Sequence, residues 1–480
     1  MVGFRSPVIL LACVVATGCQ SWIGPLAGVG IEPTRPARTE QDFGPDSAFR
    51  LLVCAGELPP ESDATKGWQS LLDRFQEHPW PARAPQAVAA AQPWSSRDHA
   101  KIRAILGAAG PNLALARQAV AAPDPQVPTA PSPGTSINTP IFYLGTAHDV
   151  ARLLVISAYT KEGMGDSSEA FRDLLTCIRF GNIVSRGGTA IGHLVDAAIT
   201  ARASDALWCM PTRTDVPAPV LRRTAQELLS IADGVEPLAE AMRHESQGAL
   251  AVVDTFSWSG VHVASGEPPL GFGAWLRRSL AGVLTGSTRA AMKRDFTYLF
   301  QHLVDLADKP YCEGVSREAR ALADALEAAS SHSVLPKRNP GGLNRAKVLV
   351  SVLSRPPDKL AERDASLRAA ALYLAILACE KETGVPPKAL VDLVPAYLPR
   401  VPLDPFDGKP LRYIVGETPE AWGDAAWGIY SIGRNRRDDG GAGTRRWSWR
   451  DPDTDIVWIP EPFPKVAPPI PKGGLFGGGL

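Results

Sequence analysis

From residue 141 to residue 210, apolar residues return at every third or fourth position, and glycines mark the interruptions. That period belongs to an α-helix with one buried side and excludes a strand, whose side chains alternate from face to face. Ala147, Val150, Ala151, Leu154 and Ala158 fall on one face. Gly163 and Gly165 end that helix. Asp166-Ser167-Ser168-Glu169 then reads as a capping box, in which the Asp166 carboxylate accepts the N3 amide and Glu169 reaches back. Phe171, Leu174, Leu175 and Ile178 form the next inward face, and after Gly187-Gly188 a third helix points Ile191, Leu194, Val195 and Ala198 inward. A chain organised around this segment is expected to be built of helical hairpins.

Around this centre the composition divides the chain. Residues 20–48, rich in Gly, Pro and Thr, read as a tether. Residues 49–120 read as a helical segment; within 98–120, Ile102, Ile105 and Leu106 fit a short helix that Gly110-Pro111 ends. Residues 121–140 hold six prolines and no period, so they read as a linker. Residues 141–360 form an α-helical domain with further helices expected at 218–246, 288–307 and 315–331, while 257–287 is left unassigned. Residues 361–459 form a small C-terminal α+β module, and the Pro- and Gly-rich stretch 460–480 is expected to be a flexible tail. The expected fold class is mainly α, with a C-terminal unit made of one long helix and a three-stranded antiparallel sheet.

That unit opens with DASLRAAALYLAILACEKETG over 364–384, where Leu367, Ala370, Ala371, Leu374, Leu377 and Ala378 make one broad apolar face. Gly384 suits the left-handed position after a helix, and Pro386-Pro387 prevent continuation. Strands are expected at Leu411–Val415, Trp427–Ile432 and Asp455–Ile459, with Asp407-Gly408 and the run from Gly433 to Gly443 supplying turns.

The helix, then Leu403-Asp404-Pro405-Phe406-Asp407-Gly408-Lys409-Pro410-Leu411-Arg412-Tyr413, then Ile429-Tyr430-Ser431-Ile432-Gly433 and the acidic Asp438-Asp439-Gly440-Gly441, resemble the C-terminal region of type II secretion major pseudopilins. The pattern covers about 95 residues, a fifth of the chain. In that family it follows an N-terminal hydrophobic helix with a prepilin peptidase site, both of which are missing from this sequence, so a fold module placed in another architecture is the expectation. The resemblance implies a calcium ion in the loop after the second strand. Calcium takes six to eight oxygens, and Asp438, Asp439, Asp451, Asp453 and Asp455 offer five carboxylates within 18 positions. The alternative is that these acids are turn residues paired with Arg434, Arg436, Arg437, Arg445, Arg446 and Arg450, which interleave with them. In the centre of the chain, Gly165-Asp166-Ser167-Ser168-Glu169-Ala170 resembles the turn of a tetratricopeptide hairpin, in a single copy.

The N-terminus carries an address. Arg5 precedes nine apolar residues, Val8 to Ala16, too few to cross about 30 Å of hydrocarbon and suited to a signal peptide. Ala16-Thr17-Gly18-Cys19 resembles a bacterial lipobox, which implies lipidation of Cys19 and residues 1–19 as the signal. A plain signal peptide cut nearby and an uncleaved anchor are the alternatives. Seven cysteines contain no CxxC pair, which disfavours a zinc ribbon; buried single thiols are expected.

Lys+Arg and Asp+Glu number 50 each, so no charge argument supports nucleic acid as a partner. The sequence has no HExxH, GxSxG, SxxK or GxxxxGK motif. These observations favour a non-enzymatic envelope lipoprotein, anchored to the membrane by lipid, that contacts envelope or secretion-system proteins. A secretion-system component is a second reading. An envelope hydrolase with a site on the helical domain near His148, His193 and Glu169 is a third. His244-Glu245 is expected on a solvated helix face, and Trp427 and Trp458 in the sheet–helix interface.

Overall fold

The computed structural model describes residues 32–35, 38–59, 62, 99–129, 142–212, 214–255, 297, 300–311, 356–443 and 454–460. Cys19, the expected helix at 315–331, Asp451, Asp453 and residues 461–480 lie outside them. The protein is mainly helical, with a small three-stranded antiparallel sheet near the C-terminus. The helices are α1 (Ala48–Gly56), α2 (His99–Ala108), α3 (Gly110–Ala121), α4 (Phe142–Gly163), α5 (Ser167–Ser185), α6 (Ala190–Cys209), α7 (Ala218–Asp233), α8 (Leu238–Thr255) and α9 (Pro356–Thr383); residues 300–308 are also helical. The strands are β1 (Arg412–Val415), β2 (Trp427–Ser431) and β3 (Ile456–Trp458).

Gly110-Pro111 ends α2 as expected and also begins α3, because a proline lacks only an amide that the first helical turn leaves unbonded anyway. The expected helix over 218–246 is two helices. Gly234 closes α7, and Pro237 sits immediately before α8. At the start of α5, Asp166 accepts the Glu169 amide at 3.1 Å. The reciprocal half of the expected box is replaced, since the Glu169 carboxylate turns to Arg172 and, at 3.7 Å, to Lys161.

Helices α4, α5 and α6 follow one another through short turns; α5 lies against both neighbours, and α4 also reaches α6. On α6 the inward face differs from expectation. Ile191 and Ala198 are exposed and Leu194 and Val195 half-buried, whereas His193, Asp196, Ile199, Thr200 and Ala203 point inward. The reason is α9, which lies against α6 and brings Arg363 to Asp196.

Helix α9 starts two turns earlier than the apolar pattern, at Pro356-Pro357, with Asp358 in its first turn and Lys381 in its last, both favourable to the helix dipole. Gly384 has a φ of +81° and donates its amide to the Glu380 carbonyl at 2.8 Å. The helix is buried on nearly its whole circumference: Ala365, Ala369, Tyr373 and Ile376 are enclosed along with the expected face. It packs against α6 and α7 on one side and β2 on the other. Each fully buried Leu or Ile there contributes about 1.5–3 kcal/mol. One continuous core consequently runs from Phe43 to Trp458.

The strands fall within a residue or two of the expected spans, in the order β1-β2-β3, with Arg412 opposite Tyr430 and Ile429 opposite Trp458. Trp427 and Trp458 join the main core, and the Trp427 ring lies 5.6 Å from that of Tyr373 on α9. Trp422, Tyr430, Val457 and Ile459 form a small cluster on the opposite face. Gly428 makes that cluster possible, because a Cβ there would sit 2.5 Å from the Trp422 ring.

Candidate functional site

The loop between β2 and β3 converges on one carboxylate. Asp455 is 1 % exposed. One of its oxygens accepts the amides of Asp439 (3.1 Å) and Gly441 (2.8 Å). Its other oxygen, Oδ1, is buried and finds no hydrogen-bond partner among the described residues. Asp438 accepts from the Tyr430 hydroxyl (3.1 Å) and the Gly440 amide (3.0 Å), and Asp439 from the Asn435 side-chain amide (3.0 Å). Burial pushes the Asp455 carboxyl above its usual range; the two amides oppose this, and Asp438 and Asp439 add to it.

The glycines are required by this geometry. Gly440 and Gly441 have φ of +70° and +78°, and the Gly441 carbonyl accepts the Trp422 indole N–H at 2.8 Å. A Cβ on Gly443 would lie 1.8 Å from the Asp455 carbonyl oxygen, whereas one on Gly440 meets nothing. Gly440→Ala is therefore expected to cost about 1–2 kcal/mol, the left-handed penalty alone. Gly443→Ala is expected to lower the thermal midpoint further, because it pushes the loop off Asp455. Equal midpoints for the two variants would contradict this packing.

The arginines expected to neutralise the acids have divided roles. Arg437 meets Asp439 at 3.1 Å, but Arg434 turns away to Asp358 at the start of α9, at 2.7 Å. Arg412 bridges Asp404 (3.1 Å), Asp407 and Asp438 (3.6 Å). Among the described residues no group of three or more His, Cys, Asp or Glu converges on a point that a metal ion could occupy. Asp438, Asp439 and Asp455 share one loop without forming a closed shell.

Asp404 holds this region together. It accepts the Phe406 amide and the Ser431 hydroxyl on one oxygen, each at 3.0 Å, and on the other the Ile432 amide at 3.0 Å and Arg412. Burial raises its pKa, and the two amides, the hydroxyl and Arg412 work against that.

The three residues proposed for a hydrolytic site are differently placed. Glu169 sits beside Lys161, which is thirteen positions after His148, about 20 Å along α4. His148 is held neutral, its pKa lowered to about 4 by burial and then by Arg202 and Arg152. His193 is 0 % exposed, finds no partner for either ring nitrogen among the described residues, and is lowered to about 3 by burial and Arg363. Beside it Asp196 binds Arg363 (2.8 Å), Ser185 and Thr200 (both 3.2 Å).

His244 and Glu245 are also inward rather than solvated. Glu245 accepts the Ala190 amide at 2.8 Å, supplying an acceptor for the open N-terminus of α6, and His244 is buried 3.5 Å from Glu240. Glu240 and His244 stand one helical turn apart, which puts both on one face of α8, and nothing in the spacing marks that face as the buried one. Cys177, Cys209 and Cys379 are buried thiols, and burial pushes Cys177 up to about 12.

Comparison of the chain with family models, with curated proteins and with solved structures gives no match. No helix among the described residues is long and apolar enough to cross a membrane.

Proposed function

We propose that this protein is a non-enzymatic envelope lipoprotein, exported and anchored through Cys19, whose helical body presents a calcium-stabilised pseudopilin-like module to envelope or secretion-system proteins. The observation that carries the module's part is the Asp455 carboxylate, buried with one oxygen unpartnered inside a loop that also holds Asp438 and Asp439. A buried anionic oxygen without a donor is costly, and a hard cation is the partner its chemistry favours. Asp455, Asp438, Asp439 and the carbonyls of the glycine run would supply ligands, with Asp451 and Asp453 further along the same loop.

Two alternatives have less support. Assembly through the module's long helix, as in a pseudopilus, conflicts with α9 being enclosed by α6, α7 and the sheet. A hydrolytic role for His193 conflicts with its complete burial.

The test is a thermal melt of the full chain in calcium and in chelator, with calorimetric titration of the metal. A higher midpoint in calcium is expected, and Asp438→Ala, a half-exposed position, should reduce the difference. A midpoint indifferent to calcium in the wild type removes the ion and leaves the loop to its amides and arginines.

A further inference from the structure

The first described residues are fastened to the helical body by buried carboxylates. Glu240, on the first turn of α8 and 4 % exposed, accepts the amides of Thr34 (2.8 Å) and Arg35 (3.2 Å) on one oxygen and faces Arg243 (3.3 Å) with the other. Glu236, just before α8, binds the Arg35 guanidinium at 3.0 Å with one oxygen and accepts the Gly187 amide at 2.6 Å with the other. The attachment continues at Arg38. Its carbonyl accepts the Thr129 amide at 2.8 Å, its own amide donates to the Thr129 hydroxyl, and its guanidinium pairs with Asp124. The Val127 amide donates to the Arg186 carbonyl at 3.0 Å. A Cβ on Gly187 would lie 3.1 Å from both the Val127 carbonyl oxygen and the Thr129 methyl. Residues 34, 35 and 38, the segment 124–129 and the α5–α6 turn meet here at one end of the helical stack. Buried carboxylates destabilise a fold unless donors reach them, and the donors to Glu240 are main-chain amides of Thr34 and Arg35, inside the stretch 20–48 that the sequence marks as a tether.

We propose that this clasp orients the protein on a lipid surface, with the α5–α6 turn and the start of α8 toward the bilayer and the α4–α5 turn away from it. The proposal rests on the reading of Cys19 as the lipid anchor. Fourteen residues separate Cys19 from Thr34, a root-mean-square span of about 20 Å for a coil of that length. Helix α5, with 19 residues, separates its two turns by about 28 Å. The anchor therefore pulls on one end of the stack, and the bilayer excludes the body from the space beyond that end.

Two exposed positions read the orientation: Ile191, beside the clasp, and Met164, in the α4–α5 turn. Each is changed to cysteine in a Cys54→Ser, Cys312→Ser background and labelled with a donor dye. The full chain, purified from envelopes, is placed on phosphatidylethanolamine–phosphatidylglycerol vesicles carrying a headgroup acceptor. Energy transfer is expected to be stronger from position 191 than from 164, and Glu236→Ala with Glu240→Ala is expected to abolish the difference. Should that pair prevent folding, amide exchange in the otherwise unaltered protein serves instead: slow exchange at Thr34 and Arg35 supports the clasp, and exchange at unfolded rates overturns it. Intact mass separates the two readings. Acylated protein with equal transfer from both positions overturns the orientation and leaves the anchor. Protein without the acyl mass overturns the anchor and the orientation with it.

Discussion

Replacing Arg363 by methionine is expected to cost about 3–5 kcal/mol of folding stability, because it strands the Asp196 carboxylate in the core. Asp196 is 0 % exposed and meets Arg363 at 2.8 Å; Arg363 itself is held protonated because Asp364 and Asp196 outweigh the effect of burial. Denaturant unfolding at neutral pH reads the loss, and adding Asp196→Asn to the variant is expected to recover part of it, since no buried charge then remains. The loss should also shrink in acid. Burial already raises the Asp196 pKa against Arg363, Thr200 and Ser185, and removing Arg363 raises it further. Between the unfolded value and that raised one, the folded variant binds a proton that the unfolded chain does not, so its stability falls as pH rises. A loss that is small, or the same at pH 5 and pH 8, would mean that Asp196 does not depend on this partner.

The same contact explains where the sequence was legible and where it was not. Helices α4 and α5 bury the apolar faces their period marks, with Glu162 and Asp173 enclosed beside those faces rather than in place of them. On α6 the period pointed to Ile191, Leu194, Val195 and Ala198, yet the core took His193, Asp196 and Thr200 instead. Periodicity weighs only hydrophobicity, and it cannot see a charge whose partner lies 167 positions away. Helix α9 was recognised, but its almost complete enclosure was not, since alanines are silent about which side they face. The strands were readable nearly to the residue because turn glycines and alternating aromatics bound them closely. In the acidic loop, the chain order supplied Asp438, Asp439 and Asp455. Only folding distinguishes Asp455, buried with an unpartnered oxygen, from Asp438, which is half-exposed. The buried stripe of Glu236, Glu240 and His244 had helical spacing, but three polar residues at that spacing ordinarily describe a solvated face.

Replacing Asp404 by alanine is expected to destabilise the C-terminal module by about 3–5 kcal/mol, because each buried donor left without an acceptor costs about 1–3 kcal/mol. The Phe406 and Ile432 amides, the Ser431 hydroxyl and one contact of Arg412 all end on its two oxygens. Arg412 keeps Asp407, so its charge stays paired and the damage should centre on the end of β2. Exchange at Ile432 is expected to accelerate most, together with an earlier loss of the near-ultraviolet signal of Trp427, whose ring lies on the face of β2 that meets α9. Asp404→Asn should fall between wild type and alanine: one carbonyl oxygen is retained, but the new amide group directs hydrogens at donors that also carry hydrogens. If all three proteins unfold at the same midpoint, β2 is held by the sheet and α9 alone. If alanine is severe while asparagine matches wild type, a neutral acceptor is sufficient, and the negative charge of Asp404, its pairing with Arg412 included, adds nothing to stability.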